Sequence, residues 1–588
     1  MTQRLKIKLN LGLVLCGLLA IANTNAQLLQ GFEPNPEFEQ TRPINGDPNT
    51  TPVFNQTTTS FQEGSLLFSD LTTPAVDLDR EELPARATHA TVQTLNAKER
   101  AIARAAWSYV ENNTNQASGF VRAVEKGETL SVWDLGNAIA AIESARRLNL
   151  ISKVDYDQRL RQLISSLAKL DTYEGLPNHV IDFNTGRHPD PSELISTDPI
   201  NHQVDFTKPL IPKGVQSKDI AYLLVWLEAV KRGAPYLANP IDALVSNWNF
   251  CDLQNTSGQF LNKYQSSNVS FNQPVQGLGY DAFTRKAFSL WGFETAGANI
   301  NVMNSYRFKG VELPIPVYTN QPTTELATIY SDTFFLDGLL FGWDQTGDVA
   351  SELMEFSDGW RAEIAHRLYQ LQYERYKETG VLTAKSSVYD PQSKLSVSDK
   401  IGYTLQPIFS RGVPFNTTDT NAIPKPKLAS LSTKAAYNLW ALWDTPYTRL
   451  LKEAVGDSYS RSRGFPEGIY ENYGGKIDAY SLDTNTMILM ALAYRHKGPL
   501  VPKANSNMPS AWNTKRQKPS LQQTLCLPKP AQTKLTSFDP FQLFDKQHNS
   551  STTSLSSLVY QHCDPANNNA FDSSEDIKTV RNCRFFEN

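Results

Sequence analysis

Carboxylates at the beginnings of predicted helices are the residues with the clearest capacity for chemistry. Asp134 follows Trp133 in the first turn of one predicted helix, and Asp219 occupies the equivalent place in another. The helix dipole favours a negative charge in a first turn, so both side chains are expected to be ionised. If the two helix starts face one groove, Asp134 or Asp219 would act as a base through water. Each could equally be an N-terminal charge with no further role.

A third carboxylate, Glu471, lies in a loop rich in glycine and tyrosine that precedes another predicted helix. An apolar neighbourhood would raise the pKa of this carboxyl enough to make it a proton donor. The expected site therefore has Glu471 as general acid, with Asp134 or Asp219 as base. The alternative is that Glu471 is an exposed loop acid.

Aromatic side chains would offer the surface on which such a site binds substrate. The chain is 10% aromatic, with 10 Trp and 23 Tyr residues, and aromatic rings can stack on sugars. Trp133, Tyr280 and Trp291 are the expected stacking residues. The Phe/Leu/Trp run that contains Trp291 is also typical of a core segment.

Other reaction classes lack their sequence signatures. There is no His-Glu-x-x-His motif and the eight histidines are scattered, so no metal site is expected. A Gly-x-Ser-x-Gly turn is absent, so an ordinary serine hydrolase is not expected. No dinucleotide-binding glycine motif occurs, and no cofactor is expected. The 56 basic and 60 acidic residues nearly balance, which argues against nucleic acid as a partner. Carboxylate chemistry remains, and glycoside cleavage needs only one acid and one base or nucleophile.

The elements that must position these residues are helices. Apolar residues recur at helical spacing in segments 97–113, 132–149, 155–170, 217–232, 239–248, 280–292, 331–341, 348–379, 432–443, 445–455 and 483–496. No series of strand patterns alternates with them. The predicted fold is all-α, an (α/α)6-type toroid with short β-hairpin loops and irregular N- and C-terminal extensions. In a toroid the inner helix ends line one face, where a groove suits an extended polymer.

The two ends of the chain differ from the helical part. Residues 1–26 have a basic start, an apolar stretch and a small residue, Ala26, at the cleavage position, which predicts a cleaved secretory signal peptide and a periplasmic or secreted protein. The alternative is an uncleaved single anchor, for which the apolar stretch is short. Losing the three basic residues of this segment would change the net charge from −4 to about −7. Residues 27–93 are predicted to be an extended leader, 94–500 the helical domain and 501–588 a cysteine-containing extension. No apolar run of transmembrane length follows the signal.

Four cysteines remain after the predicted signal peptide. An even count in an exported chain permits two disulfides. Three pairings are open, and one of them joins Cys251 to Cys526 and Cys563 to Cys583.

Segments of the helical part resemble, in order, a bacterial exported family known as domain of unknown function 3131. They include "SVWDLGNAIAAIESARRLNLIS", "SKDIAYLLVWLEAV", "LGYDAFTRKAFSLWGFE", "DTFFLDGLLFGWD" and "GIYENYGGKIDAYSLDTNTMILMALAYRHKGPL", and the resemblance spans roughly residues 100–500. The family is similar to glycoamylase-like α/α toroids, which include enzymes that act on β-glucans. This resemblance implies the fold more strongly than the reaction. It also adds Asp337, Tyr470 and Asn485 to the expected substrate-binding residues.

One stretch departs from the family pattern. Where the family tends to have an acidic pair before an aliphatic residue and an aspartate, this chain has Ser386-Ser387-Val388-Tyr389-Asp390. The expected function is a glycoside hydrolase or transglycosylase that acts on a glucan-like polysaccharide. If the missing acids serve catalysis, the chain would instead be a non-catalytic polysaccharide-binding or envelope scaffold protein. A polysaccharide lyase with a Tyr or His base is a further alternative.

Overall fold

The computed structural model describes residues 95–189, 213–255, 259–266, 269–275, 277–293, 302–317, 328–343, 359–393, 402–410, 413–502 and Trp512. The predicted signal peptide, the leader and almost all of the C-terminal extension lie outside these residues. Cys251 is the one cysteine within them, and it does not carry a free thiol. Because Cys526, Cys563 and Cys583 lie outside, the pairing of the cysteines stays a prediction.

Helices dominate the described part of the chain, and each segment with helical spacing forms one there. They are α1 (Ala97–Asn113), α2 (Val132–Arg147), α3 (Lys153–Leu167), α4 (Ser217–Gly233), α5 (Ala238–Ser246), α6 (Leu278–Leu290), α7 (Asp332–Phe341), α8 (Gly359–Thr379), α9 (Thr433–Leu442), α10 (Pro446–Gly456) and α11 (Leu482–Lys497). The predicted start of the eighth segment, residues 348–358, lies outside the described residues. No helix in the described ranges is long and apolar enough to cross a membrane.

Short antiparallel strands connect the helices. They are β1 (Thr129–Ser131), β2 (Thr172–Tyr173), β3 (Leu176–Pro177), β4 (Val180–Asp182), β5 (Lys213–Val215), β6 (Leu261–Ser266), β7 (Val269–Pro274), β8 (Val302–Phe308), β9 (Val311–Val317), β10 (Val388–Asp390), β11 (Gly402–Leu405), β12 (Phe409–Ser410), β13 (Val413–Pro414), β14 (Thr418–Asp419), β15 (Ser430–Ser432) and β16 (Gly468–Tyr470). The hydrogen-bonded orders are β1-β4, β2-β3, β5-β6-β7, β8-β9, β10-β11-β14, β12-β13 and β15-β16. The protein is therefore helix-rich, with several β-hairpins.

Six helices pack against one another in a closed series. Helix α2 packs on α4, α4 on α6, α6 on α7, α7 on α9, α9 on α11, and α11 again on α2. We call these six the ring helices. The other five pack on them: α1 on α2 and α11, α3 on α2, α5 on α4, α8 on α7, and α10 on α9. All ten residues of α9 are buried, as expected for a helix surrounded by others.

The starts of the ring helices are fixed by strands and caps. Strands β1, β5 and β15 lead almost directly into α2, α4 and α9. Ser131, Ser432 and Ser481 are the N-caps of α2, α9 and α11, and each side chain accepts a hydrogen bond from a backbone N–H of the first turn. These contacts fix the position of first-turn side chains at one end of the ring.

Helices α2 and α4 approach closely at Gly136. A Cβ atom placed on Gly136 would lie 2.7 Å from Cδ1 of Tyr222. We expect Gly136→Ala to lower the free energy of unfolding by about 1–3 kcal/mol because the packed core cannot accept the added carbon without shifting. Gly233→Ala, at the end of α4, is the control, since nothing lies within 4 Å of its added Cβ. Equal midpoints for the two variants in urea unfolding would contradict this expectation.

Candidate functional site

A cavity of about 360 Å³ opens at the end of the ring where the ring helices begin. Each ring helix contributes at least one first-turn side chain with a charged or phenolic group to its wall. In chain order these are Asp134, Asp219, Tyr280, Asp332, Lys434 and Asp483. The remaining wall consists of Ser131, Trp133, His179, Val180, Gln216, Lys218, Thr333, Leu336, Ser387, Tyr389, Tyr403, Asn438 and Met487.

Asp134 is buried. Its carboxyl group forms part of the N-terminal cap of α2, and the residue also lines the cavity. Its Oδ2 atom accepts hydrogen bonds from the Ser131 backbone N–H at 2.8 Å and from Ser131 Oγ at 2.7 Å. Burial raises the pKa of Asp134 to about 6, although the bonds from Ser131 act in the opposite direction. The neighbouring Asp483 raises this pKa further.

Asp219 is the second buried aspartate of the pair that the sequence analysis placed together, and it lines the same cavity. Burial raises the pKa of Asp219 to about 7, against the smaller effect of Lys218 and with a contribution from Asp134. Within the described ranges its carboxyl accepts no hydrogen bond. The expectation that helix dipoles keep both aspartates ionised does not fit Asp219, which is partly protonated at neutral pH because the cost of burying a charge outweighs the dipole.

Asp483 differs from these two because it has a cationic partner. Lys434 Nζ donates to Asp483 Oδ2, and Asn137 Nδ2 donates to Asp483 Oδ1 at 3.0 Å. Burial by itself would raise the pKa of Asp483, but Lys434 and these hydrogen bonds lower it below its ordinary value. The acids in turn raise the pKa of Lys434. The cavity thus contains an ionised pair beside two carboxyl groups, those of Asp134 and Asp219, whose pKa values are raised toward neutral pH.

The stretch that departs from the family pattern lies at this cavity. Ser386 Oγ donates to Asp332 Oδ1, and Ser387 lines the wall directly. Burial raises the pKa of Asp332, and Lys434 and the bond from Ser386 oppose that rise. The two serines therefore contact the site even though they supply no acid to it.

Four aromatic rings face the cavity. Trp133 stacks on Tyr222 of α4, with ring centroids 4.1 Å apart and planes at 19°. Tyr389 and Tyr403 meet edge to face at 5.0 Å. Tyr280 also lines the wall, so Trp133 and Tyr280 both lie at the cavity, and their role as stacking residues stays a prediction.

Glu471 lies elsewhere, in a buried ion cluster. Its carboxylate contacts Lys385 Nζ at 2.6 Å and Arg375 Nη2 at 2.8 Å. Burial by itself would raise the pKa of Glu471, but these two cations lower it to about 2. Glu471 is not among the residues that line the cavity. The predicted role as general acid does not fit these contacts, since a general acid must hold a proton near neutral pH.

Two other expected substrate-binding residues belong to the interior. Trp291 is buried, and its Nε1–H donates to the backbone oxygen of Leu224 at 3.0 Å. Asp337 is buried between Lys286 Nζ at 3.1 Å and Arg361 Nε at 3.2 Å. Neither lines the cavity. The neighbours of Trp291 and Asp337 therefore show that both side chains are parts of the packed interior of the ring.

Tyr470 and Asn485 are likewise fixed by interior hydrogen bonds. The Tyr470 hydroxyl donates to Asp390 Oδ1 at 2.8 Å. Asn485 Oδ1 accepts from the Phe465 backbone N–H at 2.8 Å, and its Nδ2 donates to the Ser481 backbone oxygen at 2.8 Å. Both side chains lie outside the cavity wall, so the expected contact with substrate does not fit their positions.

Sequence reasoning assigned no role to several residues of the wall. Asp332, Lys434 and Asp483 each occupy the first turn of a ring helix, as Asp134 and Asp219 do. A charged residue in the first turn of each of these five helices was the signal that could have identified them. Among the described residues, no three His, Cys, Asp or Glu side chains are arranged to hold a metal ion.

Comparisons with known proteins give one family and several similar structures. The family model described as Protein of unknown function (DUF3131) matches residues 101–498. No curated protein matches the chain. An endo-β-1,2-glucanase from Chitinophaga pinensis, solved with sophorotriose and glucose, is 15% identical with a TM-score of 0.47, over 74% of this chain and 97% of that one.

Two further solved structures are similar at the same level. A β-1,2-glucanase from Parabacteroides distasonis is 12% identical with a TM-score of 0.46, over 74% of this chain and 61% of that one. A mutant endo-β-1,2-glucanase from Talaromyces funiculosus, solved with β-1,2-glucan, is 10% identical with a TM-score of 0.42, over 69% of this chain and 84% of that one.

Proposed function

The chain belongs to the DUF3131 family of proteins of unknown function, and from that premise we propose an exported glycoside hydrolase or transglycosylase that acts on a glucan-like polysaccharide. One observation carries the proposal: two buried carboxyl groups with raised pKa values, those of Asp134 and Asp219, line a single cavity together with aromatic rings. The ring helices and the helices that pack on them form an (α/α)6-type toroid in this proposal. Export rests on the sequence of residues 1–26.

Asp219 is the general acid of the proposed reaction. Its pKa of about 7 keeps a substantial fraction of the carboxyl protonated at neutral pH. A proton delivered from Asp219 to the glycosidic oxygen lets the C–O bond break without leaving a free alkoxide. The carboxyl group of Asp219 has no hydrogen bond to another described residue, so the substrate oxygen can take that place.

Asp134 is the general base, acting through water. Its lower pKa, about 6, leaves it mainly ionised when Asp219 is still partly protonated. The bonds from Ser131 hold Oδ2, which leaves Oδ1 to accept a proton from a water molecule. That water attacks the anomeric carbon as the proton from Asp219 reaches the leaving group. In a transglycosylase a sugar hydroxyl takes the place of water.

The aromatic wall supports a sugar as the ligand. Trp133 and Tyr280 present partly exposed rings on neighbouring parts of the wall, and sugar rings pack on such faces through their C–H groups. The Lys434–Asp483 pair adds fixed charges that can bind hydroxyl groups.

Two alternative functions are each favoured by a separate observation at the cavity. The serines Ser386 and Ser387 at the cavity favour a non-catalytic polysaccharide-binding protein. For a lyase, His179 lines the cavity, and burial lowers its pKa to about 4, so it is neutral there. The tyrosines fit a lyase base less well, because burial raises the pKa of Tyr280 and of Tyr389 well above the ordinary value.

The proposal is tested by incubating the protein with a panel of α- and β-linked glucans and measuring new reducing ends. We expect Asp134→Asn to lower the rate about 100-fold, because the remaining carboxylates replace the base only in part. Asp155→Asn is the matched control, since Asp155 holds the same first-turn place in α3 but lies away from the cavity. It should leave the rate unchanged.

The outcomes separate the candidates. A wild-type rate retained by Asp134→Asn would exclude this residue as the base. Binding of a glucan without any new reducing ends would support the polysaccharide-binding alternative. A polysaccharide of uronic acids is added to the panel, because a lyase base removes the acidic proton beside the uronate carboxyl, and new unsaturated ends on that polymer would indicate a lyase.

A further inference from the structure

The cavity continues one helical turn below the charged residues. Leu336, Asn438 and Met487 each follow a first-turn wall residue by four positions, and all three line the cavity. Four residues along an α-helix correspond to about 6 Å, or slightly more than one turn. These side chains therefore form a floor beneath Asp332, Lys434 and Asp483.

Asn438 is the polar member of this floor, and its amide oxygen has no partner. The residue is 5% exposed, and Oδ1 accepts no hydrogen bond from any described residue. An amide buried without hydrogen bonds costs free energy, so native interiors rarely contain one without a functional reason. The structure thus places a side chain with an unsatisfied acceptor on the cavity floor.

Other buried asparagines of the ring helices differ from Asn438. Asn137 donates to Asp483 and accepts from the Tyr222 hydroxyl at 2.9 Å. Asn485 bonds to the backbone of Phe465 and Ser481. Both lie in the same ring of helices and have their hydrogen-bonding groups satisfied by protein. Among these three buried asparagines, only the one on the cavity floor has an unpaired amide oxygen.

We propose that Asn438 binds adjacent hydroxyl groups of a neutral sugar ring that sits on the cavity floor. The amide offers one acceptor and two donors, which matches a pair of neighbouring hydroxyls. Leu336 and Met487 provide apolar contact for the C–H groups of the same ring. The cation above the floor, Lys434, already pairs with Asp483, so it is not free to bind an anionic group, and the floor therefore favours an uncharged sugar. This subsite rests on the proposed function and identifies where that site holds one sugar unit.

The test compares Asn438→Leu with Asn485→Leu, using KM for the best glucan of the panel and the midpoint of urea unfolding. Asn438→Leu should raise KM at least about tenfold, which corresponds to one lost hydrogen bond to substrate. Its unfolding midpoint should stay the same or rise, because no hydrogen bond within the protein is lost. Asn485→Leu should lower the midpoint and leave KM unchanged. Asn438→Ala repeats the test without added volume if the leucine variant does not fold.

Different experimental results would overturn the Asn438 subsite and the proposed function. A wild-type KM together with a lowered midpoint in Asn438→Leu and Asn438→Ala would show that Asn438 is structural, and would overturn the subsite alone. If the wild type binds a glucan without cleaving it, the dissociation constant of that glucan replaces KM. If no glucan of the panel is bound or cleaved, both the proposed function and the subsite are overturned.

Discussion

Replacing Asp219 by Asn is expected to lower kcat/KM for the best glucan about 10³–10⁴-fold. The oxygen of a glycosidic bond leaves slowly unless it is protonated, and an amide has no proton to give. Asp134 cannot substitute for this donor, because its pKa of about 6 leaves it mainly ionised at neutral pH. The loss therefore falls at the upper end of the range for a single proton transfer.

The pH dependence identifies the acid independently of the size of the loss. In the wild type kcat/KM should fall above about pH 7, as Asp219 loses its proton, and below about pH 6, as Asp134 gains one. The two groups interact, so the limbs belong to the pair. In Asp219→Asn the alkaline limb should disappear from the residual activity. An alkaline limb that persists unchanged would exclude Asp219 as the donor.

The same substitution should stabilise the protein at alkaline pH. A carboxyl whose pKa rises on folding favours the folded state at low pH, and this contribution is lost as pH rises through the folded pKa. For Asp219 the rise from 3.8 to about 7 corresponds to about 4 kcal/mol. The stability of Asp219→Asn relative to wild type should therefore increase between pH 4 and pH 8 by an amount of this order.

Urea unfolding at pH 4 and pH 8 measures this difference. Asp281→Asn is the control, because Asp281 is also a buried first-turn aspartate of a ring helix but pairs with Arg285 at 2.6 Å. It should destabilise the protein, since the buried guanidinium loses its partner. A stability difference between Asp219→Asn and wild type that does not change with pH would mean that Asp219 has no raised pKa.

Helices and their starts could be predicted from the sequence because their signals are local. Apolar spacing located each of the described helices, and the N-cap serine Ser131 stands three residues before Asp134 in the sequence. The convergence of Asp134 and Asp219 followed from one repeated feature, an acid in the first turn. The longer hairpins β6–β7 and β8–β9 were not predicted, because their strands pair with one another outside the helical pattern.

The state of each carboxyl could not be predicted, because it depends on partners far away in sequence. Glu471 meets Arg375 and Lys385 only after the chain has folded, and these cations reverse the effect of burial on its pKa. Asp219 has no such partner, and burial raises its pKa. Glu471, the expected proton donor, is therefore ionised in the folded protein. Asp219, which was expected to be an ionised base, is instead partly protonated at neutral pH.

Replacing Glu471 by Gln is expected to lower the free energy of unfolding at pH 7 by about 3–5 kcal/mol. The change leaves the Lys385 ammonium buried and without its carboxylate, and it also removes the charged partner of Arg375. Because the folded pKa of Glu471 is lowered to about 2, its stabilisation is present above the unfolded pKa and is lost as pH falls through the folded value. The deficit of the variant should accordingly be full at pH 7 and shrink toward pH 2.

Two comparisons show whether the cost comes from the buried charge. Glu125→Gln, which breaks a more exposed pair with Arg463, should cost less than about 1 kcal/mol. Adding Lys385→Met to Glu471→Gln should recover part of the loss, because an unpaired buried cation is replaced by an apolar group. A double variant as unstable as the sum of the two single variants would contradict this explanation.

Activity of the folded Glu471→Gln protein decides between its two roles. Under conditions where the variant stays folded, kcat/KM should remain within about threefold of wild type, since Glu471 does not reach the cavity where the proton transfer takes place. The alkaline limb near pH 7 should also remain, because it belongs to Asp219. If the folded variant instead lost activity together with that limb, Glu471 would be the proton donor that the sequence suggested. If the unstable variant retains its activity, the role of Glu471 is structural. It then holds Lys385, and the adjoining Ser386 and Ser387 carry that support to the wall of the cavity.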